Sequence, residues 1–142
     1  MKAEQTPKCV VLIDDWQMQC CGVPFKVGEK VEWIVQEWAK TMKDSLVEVD
    51  YYYEHHSSEW QKLFKIVGFV DAIKALYYTL ELHPNPDENH GCTHHRVYKK
   101  TVDVIEADGW DTDIDGFEFG DYKIVLRDFV IRPAEKVEIT FS

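Results

Sequence analysis

Apolar and polar residues alternate with a period of two along much of the chain, a spacing typical of β-strands that face a core on one side. Five segments are predicted as strands, three from this alternation and two from an apolar run or from aromatic and β-branched content. They are the apolar run at 9–13, the alternating Val31, Trp33 and Val35, the pair Val102 and Val104, the aromatic and β-branched stretch 122–131, and the alternating Val137, Ile139 and Phe141.

Helical spacing is rarer. Two short helices are predicted, one on the apolar positions Trp38, Ala39, Met42 and Leu46, the other after a capping-box pattern at Ser58 and Gln61, with Trp60, Leu63 and Phe64. Residues 66–82 fit both a helical stripe and one face of a strand. Gly68 and the neighbouring Tyr77 and Tyr78 favour a long, bent strand there.

Six strands with brief helical connectors predict a mainly β fold with the character of a small barrel, because closure of the sheet protects its edge strands. The ordering of PFKVGEKVEW at 24–33, an aromatic residue, a Gly turn and an alternating strand, resembles the first hairpin of SH3-like and OB-like barrels. A small SH3-like or OB-like barrel is therefore the expected fold class.

The chain has 142 residues, 45% of them apolar and 13% aromatic. A chain of this size buries enough surface to fold without a disulfide or a metal, so one globular domain over residues 1–142 is expected. No apolar run reaches the roughly 20 residues of a membrane-spanning helix, and the start of the chain lacks the apolar length of a secretion signal. We therefore expect a cytoplasmic protein with no membrane partner.

Acidic residues concentrate in one stretch. Of a formal net charge of −10, residues 103–121 contribute −8, with no Lys or Arg among them. Nucleic-acid binding depends on Lys and Arg, so this distribution argues against a nucleic-acid partner. The sequence DTDIDG at 111–116 matches the first half of a calcium-binding loop, but the twelfth position is Tyr122 where the loop needs an acidic residue. We interpret the stretch as an exposed acidic hairpin loop without a tightly held calcium ion.

Three blocks of the sequence resemble a family of small bacterial proteins of unknown function. The first, at 14–33, reads DDWQMQCCGVPFKVGEKVEW, the second is Glu54-His55-His56, and the third combines Gly109-Trp110 with Gly120-Asp121-Tyr122. The resemblance implies a compact bacterial domain and carries no activity with it.

The side chains best suited to hold a transition metal are Cys20, Cys21, His55 and His56, because thiolate and imidazole are preferred ligands of Zn²⁺. The residues that could join one Cys and one His at a shared ion are His90, Cys92, His94 and His95. Zinc modules generally use Cys-x-x-Cys pairs, whereas adjacent residues of a strand point to opposite sides. We therefore expect no cofactor, with zinc as the alternative.

Two interpretations of the cysteine pair need no metal. In the one that we favour, Cys20 and Cys21 are small buried apolar groups beside Trp16 and Met18. In the other, an imidazolium lowers the pKa of one thiol and makes it a nucleophile.

Two further patterns have simple structural explanations. Asp14 and Asp15 suggest acid–base chemistry, but adjacent carboxylates diverge on a strand, and a cap or turn explains them. The run 51–53 of three tyrosines, with Trp60, suggests a ligand cleft, although such a run is usually divided between core and surface.

Taken together, these features predict a small binding or interaction module whose partner is an unidentified ligand or protein. The alternative is a metal-dependent or thiol-dependent enzyme that uses Cys20 or Cys21 with His55 or His56.

We predict that the two adjacent thiols behave differently, one buried among apolar residues and the other facing a cleft shared with His55 or His56. Replacing the buried Cys by Ser should destabilise the protein by roughly 1 to 3 kcal/mol, and replacing the other should change stability by less than about 0.5 kcal/mol. Denaturation of Cys20→Ser and Cys21→Ser measures this. Equal reactivity of both thiols in the folded protein, zinc in elemental analysis or unfolding by a chelator would contradict this interpretation.

Overall fold

A computed structural model describes residues 7–20, 22–37, 49–53, 63–85, 87, 91 and 93–135, without the side chains of Trp16 and Cys20. Within these ranges strands far outnumber helices, as predicted. The elements are β1 (Lys8–Asp14), α1 (Asp15–Cys20), β2 (Phe25–Lys26), β3 (Lys30–Glu37), β4 (Tyr51–Tyr53), β5 (Leu63–Leu82), β6 (His94–Val104), β7 (Glu106–Ala107) and β8 (Glu118–Pro133).

Six strands form one sheet in the order β3-β4-β1-β8-β5-β6, and a further pairing joins β3 to β5. This pairing closes the sheet in a ring, with β6 attached along β5, so the predicted barrel-like, mainly β architecture is confirmed. β1 and β4 are parallel, and the other neighbours are antiparallel. β2 and β7 form a separate two-stranded sheet. The specific likeness to SH3-like or OB-like barrels remains a prediction.

β5 is a single strand of 20 residues, which confirms the long strand predicted at 66–82. Its first part pairs with β3 and its second part with β6, while β8 runs along its other edge. The pairing with β8 shifts register at three points. At the first shift, a Cβ on Gly68 would lie 3.0 Å from the Cβ of Phe129, so glycine allows the two strands to approach closely.

Alternate residues of β1 lie on two faces of the sheet. Val11 and Ile13 belong to the main core, and Leu12 belongs to a second, smaller cluster with Leu76. The main core holds the fully buried Tyr122 with side chains of β3 and β5. Strongly polar side chains, Asp14 and Asp121, lie on the same face as Leu12.

α1 is a difference from the sequence prediction. We expected Cys20 and Cys21 to alternate along an extended or turning segment, whereas Cys20 is the last residue of a helix and Cys21 lies outside the described residues. The helix starts directly where β1 ends, with the carboxylate of Asp15 in its first turn, where the helix dipole favours negative charge. Gln19 then fixes it by donating to the Gly109 carbonyl at 2.7 Å.

The prediction of the second helix is wrong for the two of its residues that the structure describes. Leu63 and Phe64 lie in β5, opposite Gln36 and Val35 of β3, because pairing with a distant strand overrides the local helical spacing. The other predicted segments that lie outside the described residues are the helix at 38–46, the capping box at 58–61 and the strand at 137–141.

The acidic stretch contains the predicted hairpin. Ile114 and Phe117 pair in a bridge, and the two residues between them, Asp115 and Gly116, have φ of 45° and 82°. Positive φ at both central positions is the geometry that Asp-Gly favours in a tight turn. Asp113 and Asp115 are exposed, as expected, whereas Asp111 is half-buried. No helix in the described ranges has the length and apolar character needed to span a membrane.

Candidate functional site

The predicted zinc ligands cannot be assembled from the described part of the chain. Cys21, His55 and His56 lie outside it, as does the side chain of Cys20. His94 and His95 are described on β6, and the His95 ring packs 4.6 Å from that of His83. Within the described ranges no group of three or more His, Cys, Asp or Glu side chains is arranged to hold a metal ion. The zinc hypothesis therefore remains a prediction.

The one cysteine whose side chain is described, Cys9, is unsuited to nucleophilic chemistry. It is buried in the main core, and burial, with a smaller effect of the nearby Asp50 carboxylate, raises the pKa of its thiol to about 12. The thiolate is the reactive form, so Cys9 is inert near neutral pH.

A different group of side chains forms the strongest polar site. Asp14 is the last residue of β1 and Asp15 the first of α1, while β8 places Asp121 directly opposite Asp14 in the antiparallel register. Opposed like charges destabilise a strand pair, so these carboxyls require compensation from their neighbours. We call Asp14, Asp15, Asp121 and Arg96 the carboxylate cluster.

Asp14 is held by the end of β4 and by α1. The hydroxyl of Tyr52 donates a hydrogen bond to Asp14 Oδ2. The amide of the fully buried Gln17 donates to the Tyr52 hydroxyl at 3.1 Å and to the carbonyl of Tyr53 at 2.9 Å. These contacts fix one carboxylate of the cluster to the sheet.

Asp121 is held on one side only. The hydroxyl of Tyr98 donates a hydrogen bond to Asp121 Oδ2. Asp121 is only 5% exposed, and its Oδ1 atom is buried and has no hydrogen-bond partner in the described structure. Few buried polar atoms in native proteins lack a partner, and each such atom needs an explanation.

Arg96 lies beside both Asp121 and Asp15 without closing on either. Its Nη1 is 3.7 Å from Asp121 Oδ1, and its Nη2 is 3.8 Å from Asp15 Oδ2. Both separations exceed the usual length of about 2.9 Å for an N–H···O bond. The guanidinium instead stacks on Tyr78, 4.4 Å from the ring centroid, a favourable cation–π position.

The environment of Asp121 changes its acidity. Burial raises the pKa of its carboxyl, the Asp14 and Asp15 carboxylates raise it further, and the Tyr98 hydroxyl and Arg96 oppose the change, for a value of about 7. Asp121 is therefore divided between its protonated and ionised forms near neutral pH. A carboxyl in this state can accept a hydrogen bond from a cation or exchange a proton with a ligand.

Sequence reasoning missed this cluster. The sequence explains Asp14 and Asp15 as a cap or turn with diverging carboxylates, and it places Asp121 in the acidic stretch and in the third family block without a chemical role. In the structure Asp14 and Asp15 both act on the Asp121 carboxyl. One signal was present, because Asp14 and Asp121 belong to two of the blocks that suggested a family resemblance.

The tyrosines at 51–53 have three different environments. Tyr52 belongs to the surroundings of the carboxylate cluster. Tyr51 lines a cavity of about 500 Å³ with Cys9, and Tyr53 lines a second cavity of about 460 Å³ with Trp33. The three tyrosines are therefore divided among separate environments, in agreement with the interpretation of the run as part core and part surface, and Trp60 lies outside the described residues.

We predict that the stability of the protein falls as the pH rises from about 4 to about 7. In this window native Asp121 retains a proton that the unfolded chain releases, so the free energy of unfolding decreases, with an upper limit on the order of 4 kcal/mol. Denaturant unfolding should show this slope in the wild type and lose most of it in Asp121→Asn. The control Asp128→Asn, on the same strand but half-exposed, should retain the slope; an unchanged slope in Asp121→Asn would contradict the assignment.

Comparison with known proteins identifies a family. No curated protein and no solved structure matches the chain. Residues 7–128 match the model of a family of unknown function, DUF6578. The match includes the whole carboxylate cluster and confirms the expectation of an uncharacterised family, while a bacterial source remains a prediction. The chain belongs to the family of unknown function DUF6578.

Proposed function

We propose that this protein is a small binding module that recognises a positively charged hydrogen-bond donor of its ligand, an amine or a guanidine, through the carboxylate of Asp121. The observation that carries the proposal is the buried Asp121 Oδ1 without a hydrogen-bond partner in the described structure. A buried acceptor left unpaired costs about 1 to 3 kcal/mol, and more when it is charged. A donor N–H from a ligand would remove this cost, so the free protein is prepared for such a group.

The position of Arg96 supports a cationic ligand. Its guanidinium shows that a positive charge is accommodated between Asp121 and Asp15, yet its stacking on Tyr78 keeps it 3.7 to 3.8 Å from the carboxylate oxygens. Because Asp121 Oδ1 is buried, a ligand has to take the place of this guanidinium to reach it, and a ligand that is not tethered to β6 would then come within hydrogen-bond distance. Charge-assisted hydrogen bonds of this kind are roughly twice as strong as neutral ones.

The overall charge of the carboxylate cluster also favours a cationic ligand. With all carboxyls ionised, the three aspartates and one arginine of the carboxylate cluster sum to −2. This net charge attracts cations and repels the phosphates of nucleic acids. Recognition of this kind requires no bound cofactor, and it suits a single cytoplasmic domain over residues 1–142 with no nucleic-acid or membrane partner.

We predict that methylguanidinium binds at this site and that its neutral analogue methylurea binds much more weakly. Amide NMR spectra recorded during titration should show shifts at Gly120, Asp121 and Tyr122. Because protons compete for Asp121, raising the pH from about 6 to about 8 should tighten binding by up to roughly tenfold. Asp121→Asn should lose at least roughly tenfold in affinity, since a charge-assisted bond contributes about 1.5 to 3 kcal/mol.

The matched control is Asp128→Asn, which removes an exposed carboxylate from the same strand. It should bind methylguanidinium as the wild type does. Equal binding of the charged and neutral compounds, or equal losses in the two variants, would refute Asp121 as the recognition group.

A further inference from the structure

The cavity that Tyr53 and Trp33 line is separate from the carboxylate cluster and lies at an edge of β3. β4 pairs with β3 only at Val35, Gln36 and Glu37. Along residues 30–34, β3 has β5 on one side, and no strand of the described structure on the other. The cavity of about 460 Å³ is lined there by β3, by Tyr53 and by residues 23–25. This volume lies in the range of small-molecule sites.

Three aromatic rings line this cavity with steeply inclined planes. The ring centroids of Phe25 and Trp33 are 5.1 Å apart with an interplanar angle of 62°, and those of Trp33 and Tyr53 are 6.1 Å apart with an angle of 89°. Phe25 and Tyr53 are almost completely buried, and Trp33 is half-buried, so the rings are held in place by packing. Trp33 is therefore the ring with the most surface left for a ligand in this cavity.

The rim of the cavity carries both signs of charge, and among the lining residues carboxylates outnumber ammonium groups. Glu29 and Glu32 contribute two carboxylates and Lys30 one ammonium group. The Glu29 carboxylate accepts a hydrogen bond from the backbone N–H of Lys26 at 3.1 Å, which fixes it at the turn before β3. Glu32 lies 3.5 Å from the ammonium of Lys65, which offsets part of its charge, and its side chain is well exposed.

We propose that this cavity binds a quaternary or methylated ammonium group. Such a cation is attracted to the faces of aromatic rings and is weakly hydrated, so it gives up little solvation when it enters an apolar cavity. A strongly hydrated primary amine lacks this advantage, and a neutral group of the same shape lacks the attraction to the rings and to the carboxylates. The site is independent of Asp121 and of the proposed function.

Choline and its neutral carbon isostere, in which a tert-butyl group replaces trimethylammonium, provide the direct test. In NMR titrations of the full chain, choline should shift the Trp33 indole signal and bind at least roughly threefold more tightly than the isostere. Trp33→Leu should abolish choline binding, and Glu32→Gln should weaken it severalfold. The matched control Trp110→Leu, which replaces a 66% exposed tryptophan elsewhere, should leave choline binding unchanged.

Two further titrations distinguish a protein side chain from a free small molecule as the source of the ammonium group, and separate this proposal from the proposed function. A short peptide that contains trimethyllysine should bind more tightly than choline if the natural ligand is a protein side chain, and no better if it is a free small molecule. Asp121→Asn should leave choline binding unchanged, so failure here is distinct from failure of the proposed function. Equal binding of choline and the isostere overturns the proposal. If Trp33→Leu does not fold, an unchanged affinity in Glu32→Gln overturns it as well.

Discussion

The architecture depends on one continuous strand. β5 extends for 20 residues and pairs with three others, β3 over its first part, β6 over its second, and β8 along most of its length. Without its contact with β3 the sheet would remain open, and without its contact with β8 the two parts would not share one core. The register of β5 therefore determines which residues of the surrounding strands lie side by side.

The carboxylate cluster depends on the registers that β1 and β5 adopt against β8. β5 places Leu76 opposite Asp121, and β1 places Asp14 opposite the same residue, so Asp121 is enclosed from both sides on the face that carries Leu12 and Leu76. The enclosed Asp121 carboxyl is difficult to ionise, and the Arg96 guanidinium stays beyond hydrogen-bond distance from it. The fold thus maintains a buried acceptor without a hydrogen-bond partner in the described structure, and the proposed ligand recognition rests on this locally unfavourable group.

The strands could be predicted because their signal is local. Alternation predicts β3, an apolar run predicts β1, and aromatic and β-branched content predicts β8. A glycine and an aromatic cluster favour the strand interpretation of β5. α1 was missed because its position depends on a distant contact, the donation from Gln19 to the Gly109 carbonyl. The pairing of Asp14 with Asp121 was missed for the same reason, since about 100 residues separate them and only the register of β1 and β8 brings them together.

Asp121 is a buried carboxyl, and we propose that its second oxygen accepts a hydrogen bond from a cationic ligand. Carbon NMR of the Asp121 carboxyl across a pH titration measures both properties, with Asp121→Asn used to assign the signal. The expected midpoint is near 7, against 3.8 for an ordinary aspartate, and it should be lower when methylguanidinium is bound, because the cation favours the ionised form. A midpoint of about 4 that is insensitive to methylguanidinium would contradict both the burial of this carboxyl and its proposed role.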